Sequence, residues 1–160
     1  LLDNKADINI KNNKGKNSLF YSIIYSNDDT SFLKALIQSG GSANSVSSFK
    51  NNDKSLKSDE EIHSLFTFGC SLNLNKISEL LIKSYANINY RTYSKGYTGL
   101  HYAVLNKNDE LVNIILSNKE KYNISLDIKD NDNPEMKALK MALNAKKIDI
   151  NNIYFYFISL

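Results

Sequence analysis

The sequence predicts an all-α solenoid of about four helix-turn-helix units with projecting hairpin loops. Three observations carry that prediction. Short head and tail strings recur along the 160 residues. Apolar residues inside each recurrence fall at helical i, i+3 and i+4 spacing. Strand patterning is nearly absent. A lone short helix pair cannot bury its apolar faces, so units of this kind must stack. A non-repetitive helical bundle, the rival architecture, gives no reason for strings to recur.

Composition bounds the rest. At 42% hydrophobic and 23% charged residues the chain reads as one ordinary globular domain, neither membrane-spanning nor disordered. The longest uncharged apolar stretch, Ile153 to Leu160, is too short to cross a bilayer, and no secretory leader pattern is present. The single cysteine, Cys70, excludes an internal disulfide framework and a zinc site built on several thiolates. A net charge of +3 is too weak to indicate nucleic acid. Asn, Lys and Ile supply 23, 19 and 17 residues, while Arg91 is the single arginine. That bias is what AT-rich coding produces, so Lys- and Asn-rich runs carry little weight by themselves.

The elements follow in chain order. Residues 1–12 read as the tail of a preceding repeat, ending in Ala6-Asp7-Ile8-Asn9. The first full unit, 13–44, opens on Gly15-Lys16-Asn17-Ser18-Leu19-Phe20-Tyr21-Ser22, with helices predicted over 18–26 and 30–39. The second, 45–89, has the head Ser64-Leu65-Phe66, which repeats Ser18-Leu19-Phe20, and helices predicted over 62–71 and 75–84. The third, 90–126, has the head Gly96 to Val104 and helices predicted over 98–106 and 109–118. The fourth, 127–160, has the head Lys137 to Ala142 and helices predicted over 137–145 and 148–158. The tail positions Asn9, Asn44, Asn89 and Asp127 lie 35, 45 and 38 residues apart. Small residues (Ser22, Gly69, Ala103, Ala142) fall where paired helices must approach closely.

The string Gly96-Tyr97-Thr98-Gly99-Leu100-His101-Tyr102-Ala103-Val104, with Glu110 to Leu116 after it and Ala86-Asn87-Ile88-Asn89 before it, resembles an ankyrin repeat. That pattern runs G-x-T-P-L-H-x-A-A, then an E-I-V-x-L-L-L helix, then G-A-D-V-N. In the T-P-L-H slot this chain departs at Gly99, where proline is usual. The tail spacings exceed the roughly 33 residues of an unadorned repeat, so each unit carries an insertion.

The largest insertion is the polar segment 45–61, about eleven residues longer than the corresponding stretch of the first unit. It is expected to be a mobile finger loop without regular structure. The run Asp130-Asn131-Asp132 is not a calcium loop, because Pro134 and Met141 occupy positions where an EF-hand needs oxygen ligands. His63 lies beside Glu60 and Glu61 without a recognisable nucleophile. His101, by the resemblance, is a structural histidine bonded to hairpin backbone. Cys70 follows Gly69 on an inner helix, with no cationic setting to activate it. No phosphate-binding glycine loop, zinc-protease or nucleophile-elbow string occurs. No catalytic, cofactor or metal residue is assigned.

The resemblance implies a non-catalytic, cytoplasmic protein–protein interaction module with scaffold or adaptor character. The alternative is the partner- or substrate-recruiting segment of a larger enzyme such as a ubiquitin-ligase adaptor or kinase. Partners would be proteins. Nucleic acid is not expected, since arginine for bidentate contacts is scarce, and neither is membrane insertion. Carried over position by position, the partner-binding residues are Lys11, Asn13, Lys14 and Lys16 on the first hairpin tip. On the third tip they are Thr92, Ser94, Lys95 and Tyr97, and at the inner-helix ends Ile24, Tyr25, Leu105 and Asn106. Tyr25 and Tyr97 are the expected anchors. The apolar segment Ile153 to Leu160 and the start at Leu1-Leu2 are expected of a window from a longer array, with self-association through the last helix as a consequence.

Overall fold

A computed structural model describes residues 6–50, 60–118 and 120–121. The predicted helices over 137–145 and 148–158, the fourth unit and the apolar C-terminal segment lie outside the described residues. Six helices form three pairs. They are α1 (Ser18–Ile24) with α2 (Ser31–Gln38), α3 (Leu65–Ser71) with α4 (Asn75–Lys83), and α5 (Gly99–Leu105) with α6 (Asp109–Ser117). Between the first and second pairs stands an antiparallel hairpin, β1 (Val46–Lys50) and β2 (Glu60–Ser64), in register Val46↔Ser64 through Lys50↔Glu60.

Two expectations are corrected here. The chain is mostly helical but not all-α, and the described ends of the 45–61 insertion form a ladder instead of an irregular loop. The ladder also delays α3, which begins at Leu65 and not at residue 62. The cause is an alternation in which polar side chains point inward. Ser47, Glu61 and His63 are buried on one face, and Phe49 packs among them against the core. A hydrophobicity pattern cannot register a strand whose inward residues are a serine, a glutamate and a histidine.

Helix starts are set by side-chain caps. Asn17 Oδ1 accepts from the Phe20 amide at 3.3 Å, Ser64 Oγ from the Thr67 amide at 3.2 Å, and Asn108 Oδ1 from the Leu111 amide at 3.0 Å. Ahead of α5 the His101 imidazole closes the cap from the other side, its Nδ1 accepting from the Thr98 amide at 3.1 Å and lying 2.7 Å from Thr98 Oγ1. Several helices stop on a left-handed residue: Asn73, Tyr85 and Lys107 have φ of 61°, 58° and 54°. The amide after each bonds back five residues, Leu74 to Gly69, Ala86 to Leu81 and Asn108 to Ala103, at 2.9–3.0 Å.

The inner helices α1, α3 and α5 stack on one another, and α4 stacks on α6. Leu19, Phe66 and Leu100 occupy one equivalent position in this stack and all are buried. The tightest approach is at Gly99. A Cβ there would lie 2.3 Å from Phe66 Cε1 and 2.8 Å from Cys70 Sγ. The departure from proline at this slot therefore has a steric cause: the Phe66 ring fills the space a side chain would need.

Polar bonds repeat from unit to unit along the stack. Asn9 Oδ1 accepts from the Ser42 amide at 2.9 Å, and Asn44 Oδ1 accepts from the Asn87 amide at 2.6 Å. At the helix-loop edge Asp28 accepts from the Lys76 and Ile77 amides at 3.2 and 3.0 Å, and Asn108 Nδ2 donates to Asn73 and Asn75 at 3.1 and 2.8 Å.

Candidate protein-interaction surface

Two tight hairpin tips flank the strand pair. In the first, the Asn12 amide donates to the Lys16 carbonyl at 3.0 Å, and Asn12 Oδ1 takes the Lys14 and Lys16 amides at 2.9 and 3.1 Å. In the third-unit tip, Thr92 and Tyr97 do the equivalent at 2.9 Å, and Thr92 Oγ1 takes the Tyr97 amide at 3.1 Å. Gly15 and Gly96 supply the left-handed backbone each turn requires, with φ of 70° and 67°.

The strand pair joins the tips into one surface. On the β1 side, Ser47 Oγ donates to the Gly15 carbonyl at 3.0 Å, and Lys16 Nζ donates to the Ser48 carbonyl at 3.0 Å. The same ammonium sits 4.2 Å from the Phe49 ring centroid. On the β2 side, the buried Glu61 carboxylate accepts from the Ser94 and Lys95 amides at 3.2 and 3.5 Å and from the Ser94 hydroxyl. Burial works to raise the Glu61 pKa, but these bonds and one from the Thr92 side chain outweigh it and hold the group below its ordinary value.

An aromatic layer supports the strands. Phe49 stacks on Phe68 with centroids 4.1 Å apart, and His63 lies against Phe49, Phe68 and Tyr102. Burial in that layer lowers the His63 pKa to about 4, and the His63 Nδ1 has no hydrogen-bond partner. Burial likewise pushes the Tyr102 hydroxyl up, and pushes the Cys70 thiol up to about 12, which leaves that thiol inert beside Ser78 Oγ. Among the described residues no group of three or more His, Cys, Asp or Glu side chains gathers as a metal site. None of the described helices is long and apolar enough to cross a membrane.

The residues expected to meet a partner divide into two sets. Lys11, Asn13 and Lys14 are exposed on the first tip, Ser94 on the third, and Tyr25 is 79% exposed at the end of α1 beside Ile24. Tyr25 stacks on Tyr21 at 6.3 Å and borders a depression of about 240 Å³ also lined by Asp29 and Phe32. The second set is drawn into the fold. Thr92 is only 2% exposed, and its hydroxyl accepts from the Tyr97 amide. Tyr97 is half-buried and stacked on His101 at 5.4 Å.

Lys16 is tied to β1 as described. Lys95 is half-buried, with its amide on Glu61, and Leu105 packs against the core. Asn106 is exposed, but its amide donates to the Cys70 and Ser71 carbonyls at 3.3 Å, closing the end of α3. Two exposed residues were not anticipated. Tyr93, next to Ser94 on the third tip, is 74% exposed, and Leu72, equivalent to Tyr25 at the end of α3, is 46% exposed.

Comparison with known proteins agrees with this geometry. The ankyrin-repeat family model matches residues 95–131, a span that contains α5 and α6. No curated protein matches the chain. That match, with stacked helix pairs joined through projecting hairpins and a Thr98–His101 cap within the matched span, shows that the chain contains an ankyrin repeat.

Proposed function

We propose that the chain is a non-catalytic, cytoplasmic protein-binding module that works as an adaptor or scaffold. Ankyrin repeats mediate protein–protein interaction, and the surface described above supports that use here. The repeats run 13–44, 45–89, 90–126 and 127–160, with 1–12 as the tail of a further one, giving a solenoid of about four units.

The observation that carries the reading is the row of apolar side chains left facing solvent at the ends of neighbouring inner helices. Ile24, Tyr25 and Leu72 are exposed there, although Leu19, Phe20, Ser22 and Ile23 of α1 and Leu65 to Cys70 of α3 are buried. A tyrosine offers a large rigid contact with one hydroxyl at low entropic cost. Tyr25 and Tyr93 are the anchors this surface offers, Tyr93 replacing Tyr97.

The test is affinity for a protein partner, measured by titration calorimetry. Tyr25→Ala and Tyr93→Ala are each expected to weaken binding by about 1–3 kcal/mol with the melting temperature nearly unchanged. If both variants bind normally while substitutions on the exposed faces of α2, α4 and α6 abolish binding, the surface carrying Tyr25 and Tyr93 is not the binding face.

A further inference from the structure

The two ends of the inner helices differ in charge. At their N-terminal ends lies the hairpin edge, which holds Lys11, Lys14, Lys16, Arg91 and Lys95. The carboxylates on the described tips and strands are Glu60, at the start of β2, and Glu61, which is 5% exposed, while Asp7 lies at the base of the first hairpin. At the C-terminal ends, about 10 Å away along a seven-residue helix, Asp28, Asp29, Asp109 and Glu110 accompany Lys76 and Lys107. Lysine is abundant throughout this sequence, so its presence on the hairpin edge says little. The informative feature is the balance: among the residues named, carboxylates outnumber cations at the other edge and are outnumbered by them at this one.

A second observation comes from Glu61 itself. The third tip turns two successive amides and a hydroxyl toward one point, and a carboxylate occupies it. The first tip fills its equivalent amides with its own Asn12. Donors on this edge are thus already shown holding an acidic side chain, with cationic Lys95 alongside.

From these two observations we infer that the hairpin edge receives an acidic polypeptide segment, with Lys11, Lys14 and Lys95 facing its carboxylates and Tyr93 covering an apolar residue within it. This rests on the protein-binding function proposed above and names the chemistry of the partner. Charge of this kind sets association rate and partner selection more than it sets affinity. Polypeptide is favoured over nucleic acid because four of the five cations are lysines, and the one arginine already donates from Nη1 to the Gly96 carbonyl at 3.2 Å.

The experiment uses the 160-residue chain and three fluorescein-labelled probes. They are a twelve-residue peptide of repeated Glu-Gly-Glu-Ala, its counterpart with Gln for Glu, and a twelve-nucleotide single-stranded DNA. Anisotropy at low salt should show binding of the Glu peptide and none of the Gln peptide, with affinity falling as salt rises. The variant Lys11→Glu/Lys14→Glu/Lys95→Gln should weaken the Glu peptide at least tenfold. Lys76→Glu/Lys107→Glu, which changes charge in the same sense at the other edge, should weaken it less than twofold. Circular dichroism establishes that both variants keep their helices.

Absence of Glu-peptide binding, equal losses in the two variants, or tighter binding of the DNA would each overturn the inference. A protein partner that is lost on Tyr25→Ala but indifferent to the hairpin-edge variant would overturn it too, while leaving the proposed function standing. Indifference of that partner to both would remove the two together.

Discussion

Glu61, on the second strand, and Ser94, on the hairpin that precedes α5, are held together across the boundary between units by an amide–carboxylate bond of 3.2 Å and a bond from the Ser94 hydroxyl. The contact spans 33 residues of sequence and fastens the inserted strand pair to the unit that follows it.

Removing the Glu61 carboxylate strands its donors. Glu61→Ala leaves the Ser94 and Lys95 amides without their acceptor, and is expected to destabilise the protein by about 1–3 kcal/mol in urea unfolding. Hydrogen exchange at Ser94 and Lys95 should rise by more than at Leu100 to Val104. Equal protection of the two segments in the variant would show that the carboxylate does not fasten the hairpin.

Acid should loosen the same region through two groups. His63 is held at about 4 against an ordinary 6.5, so the unfolded chain binds the extra proton first. Its contribution is fully present above pH 6.5 and is lost as pH falls toward 4. It is worth at most about 3 kcal/mol, taking 1.36 kcal/mol per pKa unit. Glu61, held below its ordinary value, acts in the same sense at lower pH: its contribution is present above the unfolded pKa and lost as pH falls through the folded one. Stability measured from pH 7 to pH 4 should therefore decline, and His63→Phe should flatten that decline. An unchanged slope in the variant would assign the acid sensitivity elsewhere.

At the α3–α5 contact, Gly99→Ala places a methyl inside the Phe66 ring's space and should cost about 1–3 kcal/mol, despite the better helix propensity of alanine. Phe66→Leu in the same chain should recover part of that loss. A double-mutant cycle reads the coupling, and additive effects would show that the two sites do not compete for space. Gly99→Pro, which restores the usual family residue, should fare no better than alanine, since it too brings a Cβ.

The inter-unit asparagine is open to a simpler measurement. Asn44→Ala deprives the Asn87 amide of its acceptor and is expected to lower stability by about 1 kcal/mol. A midpoint shift without a change in the denaturant slope is the signature.

The helix pairs were legible because their signal is apolar and periodic: Leu33 and Leu36, Ile77 and Leu81, Leu111 and Ile115 face the core at helical spacing. The tail asparagines were legible as strings, and their recurrence now has a cause in the bonds to Ser42 and Asn87. One string match misled by a residue. Ser64-Leu65-Phe66 spells Ser18-Leu19-Phe20, yet Ser64 is a cap equivalent to Asn17, so Phe66 stands where Leu19 does. The strands were illegible because their buried face is largely polar. On the third tip the sequence could not show that Tyr97 stacks on His101 while Tyr93 stands exposed, since that depends on which ring the imidazole meets.

The bonds from Asn9 to Ser42 and from Asn44 to Asn87 are the same bond in successive units, although one closes over 33 residues and the other over 43. The stack therefore counts units and not residues. Extra chain leaves sideways as paired strands, and the tail bond forms across it all the same. A scaffold with that property lets its hairpins lengthen, shorten or change sequence without re-solving how its helices pack.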